Sequence, residues 1–390
     1  RGLGDVYKRQ GCRVVNLLCK GSYKHVTEQL RKTPEQHVDD IRTVVLEAAK
    51  RKIDVNIYLE DWSNGIKHSP DYVFLVIDAL KGLPICRFML PDTLGVLNPG
   101  NTYEYCKMMV DRYPDLRFDF HAHNDYDLAV ANVYSAIRAG IKGIHTTVNG
   151  LGERAGNAPL SSVLAVIKDQ LGEETNLREE KINKASRLVE TYSGVHIPPN
   201  KPIIGEHVFT QCAGVHADGD SKNNLYCNDL LPERFGRVRE YALGKTSGKA
   251  NIRKNLEALG IDMDEGSMRK VTERIIELGD KKEMVTPEDL PYIISDVLHH
   301  DNALEDQKIR ILNYSLSLAQ GLKPVATLKI EINGEAYEES ASGDGQYDAF
   351  VRALRRIYSR LNRPFPMLTN YSVSIPPGGR TDAFVQTVIS

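Results

Sequence analysis

Five short β-rich runs recur along the N-terminal part of the chain: Arg13 to Leu18, Val55 to Leu59, Ile85 to Leu90, Leu116 to Phe120 and Gly143 to Val148. Each gap between them holds a helical segment. Strands joined through helices cannot close as hairpins, so this spacing confines the segment to a parallel sheet with helices packed on it. Two gaps carry helix-start signals, since Thr33-Pro34 and Ser69-Pro70 each set a capping residue before a proline at the first helical position. Beyond the first of these, Val38, Ile41, Val45 and Ala48 line one helical face. Two architectures satisfy the pattern. Five strands make a flavodoxin-like open sheet, whereas a barrel of eight, about 250 residues long, needs three more. Periodicity does not choose between them.

The rhythm stops after about Leu171, and a polar helical stretch leads through HIPPNKPIIG to a Gly- and Asn-rich segment near 213 to 228. From Ala250 to about Leu298 the patterns NIRKNLEALG and RKVTERIIELG indicate further helices. A third domain begins near Asp306. In it ATLKIEING and GEAYEES form a hairpin turning at Asn333-Gly334, followed by a helix from Tyr347 to about Leu361 and strands at Tyr371 to Ile375 and Ala383 to Ile389. A second helix that would complete a ββα, ββα pair is missing, and Ser390 falls within strand-like sequence. The opening RGLGDVYKRQ has no initiator methionine and resembles adapter-derived sequence, so residues 1–10 are set aside as non-native. The expected domains are then 11–200, 201–305 and 306–390.

Composition narrows the partners. A formal net charge of -2 gives no broad basic field, which argues against nucleic acid or an anionic membrane and in favour of small molecules. The six cysteines never reach a C-x-x-C spacing and lie mostly among apolar neighbours, as reduced thiols do in a cytoplasmic protein. Val14 to Cys19 is the longest early apolar run, far short of the roughly 20 residues of a membrane span.

The densest chemistry is HAHND at 121 to 125, closing an apolar strand. Side chains alternate along a strand, so His121 and His123 point the same way, onto the face where parallel folds bind ligands. Two imidazoles there can grip one divalent ion, or simply close the strand with hydrogen bonds. The second constellation, TTVNGLGERAGNAPL at 146 to 160, runs from a strand through a glycine-rich turn into a helix. Gly150, Gly152 and Gly156 let the backbone approach a ligand. A dinucleotide fingerprint is disfavoured, because G-x-G-x-x-x-G misses the required spacing by one residue and follows the fifth strand rather than the first. Asn157 is an oxygen ligand for the same ion or a helix cap.

Together, HAHNDYDLAVAN and VNGLGERAGNAPL resemble the paired signature of the 2-isopropylmalate, homocitrate and citramalate synthases. The resemblance extends through LEDWS, LPDTLG, AGVHADG, LGKTSGK and SGDGQYDA, essentially all of residues 11–390. It implies an α/β fold containing part of a TIM (β/α)8 barrel, with these five strands as strands four to eight. Helical linker subdomains and a truncated α+β regulatory domain like the LeuA dimer domain would follow. The family's first strand bears an Arg-Asp-Gly-Glu motif with a catalytic arginine and a metal-ligating aspartate, and this sequence contains no such motif.

Carried over by position, the resemblance makes His121, His123 and Asn157 ligands of Zn, Mn, Co or Mg, an ion that chelates a 2-oxo acid. His216 of AGVHADG becomes the base that takes a methyl proton from acetyl-CoA; read alone, a histidine beside glycine is a surface-loop residue. Glu60 would orient the base or the substrate, and Thr93, Gly152 and Glu153 would bind substrate, although Glu60 and Thr93 also suit plain strand-end polar roles. Tyr226 matches a family tyrosine, with a gap to Pro232 one residue too long. Tyr126-Asp127 departs from the small or apolar pair with glycine common in relatives. Gly343, Gly345 and Asp348 match the regulatory domain that binds an end-product amino acid, leucine in the leading reading, at a dimer interface; they equally suit a glycine turn with a helix-capping carboxylate.

The expected function is acyl transfer of the 2-isopropylmalate synthase type in leucine biosynthesis: condensation of acetyl-CoA with a 2-oxo acid, 3-methyl-2-oxobutanoate preferred, by a homodimer. Citramalate, homocitrate or Re-type citrate synthesis is the alternative within that chemistry. A lyase of the hydroxymethylglutaryl-CoA type shares the barrel but not the long C-terminal extension, and a non-catalytic regulatory homologue is the reading from another class. The 390 residues themselves are expected to be inactive, because five barrel strands leave two unpaired edges and an incomplete metal shell.

Overall fold

A computed structural model describes residues 11–212, 216, 218–219, 225–244, 248–280, 285, 289–298, 309–365, 371–374 and 386–389. The adapter-like segment 1–10 and much of 213–228 lie outside the described residues. Two compact units divide the chain, Arg1–Pro287 and Glu288–Ser390.

In the first unit β1 (Val14–Lys20), β2 (Asp54–Glu60), β3 (Ile85–Asp92), β4 (Phe118–Ala122) and β5 (Gly143–His145) form one parallel sheet in sequence order. The helices α1 (Pro34–Lys50), α2 (Trp62–His68), α3 (Pro70–Leu80), α4 (Pro99–Arg112) and α5 (Ala129–Arg138) fill the gaps. Thr33 caps α1 in a reciprocal capping box with Gln36, an arrangement that stabilises a helix by about 1 kcal/mol. Ser69 does not cap α3 as expected. Its hydroxyl donates instead to the Gly65 carbonyl of α2, 3.2 Å away, and Pro70 alone marks the helix start. Gly65 lets α2 lie against the exit of β1, where a Cβ would stand 1.9 Å from the Gly21 carbonyl oxygen.

The period-two alternation separates the sheet's faces. Cys19, Val55, Ile57, Leu59, Phe88, Leu90, Phe118 and Phe120 join the core beneath the helices. Their neighbours, Asn16, Leu18 and Lys20, then Asn56, Tyr58 and Glu60, then Arg87, Met89, Asp119, His121 and His145, share the other face. Leu18 is 61% exposed there. A doubly wound sheet is apolar on both faces, so a face lined mostly by polar side chains fits the inner wall of a barrel. Among the described residues no further strand pairs with β1 or β5.

The rest of this unit holds α6 (Leu160–Leu171), α7 (Ile182–Ser193), α8 (Lys249–Leu259) and α9 (Glu265–Asp280), with two-residue strands β6 (Thr210–Gln211) and β7 (Glu240–Tyr241). A separate small core of Leu164, Ile182, Ile203, Ile204 and Phe235 forms beyond α6. There Arg234 bonds both Asp169 and Glu179.

The second unit contains α10 (Leu290–Leu298), an antiparallel sheet of β8 (Ile309–Ser317), β9 (Val325–Ile332) and β10 (Glu335–Ser342), and α11 (Gln346–Arg360) packed on it. Short strands β11 (Tyr371–Ser374) and β12 (Gln386–Ile389) pair with each other. The hairpin turns at Asn333 (φ 52°) and Gly334 (φ 83°), as its sequence predicts for a two-residue loop. Strand β8 is an element the sequence reading did not place. No helix of the described residues is long and apolar enough to cross a membrane.

Candidate active site

The site forms where β2 to β5 end. Because β4 presents positions 119, 121 and 123 to the polar face, the rings of His121 and His123 stand 5.1 Å apart. The chain after β5 returns so that Asn157 bridges His123 in antiparallel fashion and the Ala158 amide donates to the Ala122 carbonyl. The glycine loop makes this return possible. A Cβ on Gly152 would lie 2.2 Å from the Asn157 amide nitrogen, and one on Gly156 would lie 1.9 Å from the Gly150 carbonyl oxygen. Three residues singled out in the sequence thus meet in one place.

Their donor atoms suit a divalent ion. His123 Nδ1 is buried without a hydrogen-bond partner, and the buried Asn157 Oδ1 has none beyond the neighbouring His121 ring, a costly arrangement unless a ligand completes it. Burial, with two neighbouring imidazoles, pushes His121 down to about 4, and burial with Arg154 lowers His123, so both rings are neutral and free to ligate near pH 7. Among the described residues no three or more His, Cys, Asp or Glu side chains are placed to hold a metal ion. The set is two imidazoles and an amide oxygen.

Glu60, at the end of β2, forms an ion pair with Lys20, its register partner on β1. The Thr93 hydroxyl accepts the Asp61 amide at 2.8 Å, and the Thr93 carbonyl accepts from Arg154. Glu153 projects outward with its side chain 86% exposed and lies 3.7 Å from the Arg154 guanidinium. The His216 and Tyr226 rings lie against each other, tilted by 39° with centroids 4.4 Å apart, a pairing the sequence did not reveal. Asp127 adopts a left-handed φ of 58°, a conformation that glycine takes most easily, and Tyr126 is exposed. In the second unit Gly343 and Gly345 shape the turn into α11. The Asp348 carboxylate accepts the Asp344 amide and pairs with Arg352, the duty of a capping carboxylate.

Several site residues escaped the sequence reading. His145 on β5 is the register partner of His121, lies 3.6 Å from Asp119 and stacks on Tyr58; Asp119 also pairs with Arg87 at 2.8 Å. The signal was available: once the H-x-H pair fixes the face, every second residue on each strand belongs to the same wall.

Three family models match along the chain: HMGL-like over residues 7–189, homocitrate synthase post-HMGL domain-like over 203–283, and the LeuA allosteric (dimerisation) domain over 284–390. A Methanopyrus kandleri protein named as a candidate (R)-citramalate synthase is 34% identical over 95% of this chain and 71% of its own length. Another from that organism, named "Probable 2-isopropylmalate synthase", is 33% identical over 94% and 72%. The HMG-CoA lyase of Bacillus subtilis superposes with a TM-score of 0.46 at 21% identity, over 52% of this chain and 70% of that one. With its signature histidines and glycine loop folded into one site, the chain belongs to the family of 2-isopropylmalate and citramalate synthases, acyltransferases that condense acetyl-CoA with a 2-oxo acid.

Proposed function

We propose that the polar wall serves condensation of acetyl-CoA with a short 2-oxo acid such as pyruvate, a citramalate-type reaction. The observation that carries the choice is the character of the wall beside His121. Lys20, Glu60, Tyr58 and His145 offer charge and hydrogen bonds. A branched aliphatic group such as that of 3-methyl-2-oxobutanoate would desolvate these groups without replacing their partners.

His121, His123 and Asn157 would hold a divalent ion, whose charge polarises a chelated keto group. The Thr93 hydroxyl, which accepts from Asp61, still has its own proton to donate to the substrate carboxylate. His216, supported by Tyr226, takes a proton from the acetyl methyl group. The resulting carbon nucleophile adds to the ketone, which takes up a proton, and water cleaves the thioester to release CoA and a 2-hydroxy diacid. Pairing of two chains, and binding of an amino-acid effector such as leucine near Gly343, Gly345 and Asp348, belong to the same proposal and are supported by the match to the dimerisation domain.

The 390 residues alone are not expected to turn over, since they contain no Arg-Asp-Gly-Glu sequence. Calorimetric titration of 2-oxo acids into the Mn2+-loaded chain tests the substrate reading. Pyruvate should bind at least about fivefold tighter than 3-methyl-2-oxobutanoate, roughly 1 kcal/mol, and the reverse order would sink the short-acid choice. Free CoA released at enzyme-like rates would refute the expected inactivity.

A further inference from the structure

Arg154 ties together the three loops that leave β3, β4 and β5. Its Nε donates to Asp125 Oδ1 at 2.8 Å, and its Nη2 donates to Asp125 Oδ2 and to the Thr93 carbonyl, each at 2.9 Å. Asp125 follows His123 by two residues, and Arg154 precedes Asn157 by three. One guanidinium therefore binds the loop of the candidate substrate-binding Thr93 to the loops of two candidate ligands. Backbone bonds run alongside: His123 donates to the Asp92 carbonyl at 3.4 Å, and Asn124 donates to the Gly156 carbonyl at 2.9 Å.

The fit is tight on each side. Arg154 sits at a left-handed φ of 56°, which a non-glycine residue keeps only when its surroundings hold it. A Cβ on Gly95 (φ 59°) would meet Asp125 Oδ2 at 2.7 Å, so the carboxylate is seated directly against the β3 loop. Lysine could keep the charge, but only a planar fork can hold both carboxylate oxygens and a carbonyl at once.

We propose that Arg154 is the positioning residue of this site, fixing His123 and Asn157 relative to Thr93 and thereby setting the affinity for a divalent ion it does not touch. The inference rests on the reading of His121, His123 and Asn157 as the ion-binding set. Its test uses the whole 390-residue chain with Co2+ as the probe, comparing wild type, Arg154→Lys, Asp125→Asn and the double variant. Each single variant should weaken Co2+ binding about tenfold or more, as loss of groups that orient metal ligands does, and should shift the visible absorption of bound Co2+. The double variant should be little worse than either single one, since the two residues act as a unit. Hydrogen exchange in the apo chain should quicken in 121–128 and 150–158 and stay unchanged in β1 and β2. Unaltered Co2+ affinity and spectrum in Arg154→Lys would overturn the proposal. If wild type itself binds no Co2+, the ion-binding reading fails, and exchange alone decides the positioning role: faster exchange in the two loop segments sustains it, unchanged exchange overturns it.

Discussion

His121 on β4 and His145 on β5 are register partners across the parallel ladder, with rings 5.7 Å apart at 64°. His145 is in turn tied to Asp119, and Tyr58 makes an edge contact with His121. The H-x-H pair is thus part of a largely polar wall spanning five strands, and neighbours on two of them set the orientation of the ligating ring.

That arrangement ranks the histidines. His121→Ala should lower Co2+ affinity by well over tenfold, because it deletes a donor. His145→Ala should cost less, because it deletes only an orienting neighbour. Calorimetry on both variants checks the order, and a larger loss from His145→Ala would show that the ligand set is misassigned.

The glycine loop should tolerate no side chain. Gly152→Ala drives a methyl into the Asn157 amide and Gly156→Ala into the Gly150 carbonyl at a φ of 83°. Each should destabilise the first unit by about 1–3 kcal/mol in urea melts. Gly82, where a Cβ meets nothing within 4 Å, serves as the control.

The two proline-marked helix starts should respond differently. Thr33→Ala removes one side of a capping box and should cost about 1 kcal/mol. Ser69→Ala removes no cap and should cost about 0.5 kcal/mol or less. Equal losses in urea denaturation would contradict the geometry at Ser69.

His37 gives the fold an acid-side sensitivity. Its buried ring accepts the Lys20 amide through Nε2 at 3.1 Å, and burial lowers its pKa from the usual 6.5, with Asp40 opposing. Above pH 6.5 the ring is neutral folded or unfolded, and this contribution to stability is complete. As pH falls below 6.5 the unfolded chain takes up a proton that the folded ring resists, so stability declines. His37→Gln should flatten the stability profile between pH 5 and 7; an unchanged slope would rule out this histidine as the cause.

The parallel βα order was legible in the sequence because period-two strands and proline-marked helix starts are local signals. So were His121, His123 and Asn157, which two long motifs deliver together. What stayed hidden depends on register between strands. His145 joins His121 only through the β4–β5 ladder, Lys20 reaches Glu60 only through β1–β2, and Arg154 finds Asp125 across two loops. Ser69 misled because a serine before proline looks identical whether its hydroxyl caps the next helix or bonds back to the last one. Strand β8 was missed because all nine of its residues are exposed, so no buried alternation marks it.

On the proposed reading, the ends of these strands bind a 2-oxo acid through a metal ion held by His121, His123 and Asn157. Calorimetric titration of pyruvate into the chain, with and without Mn2+ and in His121→Ala, tests it most directly. Binding is expected only in the wild-type chain with Mn2+ present. Equal pyruvate affinity without the ion, or in His121→Ala, would contradict it.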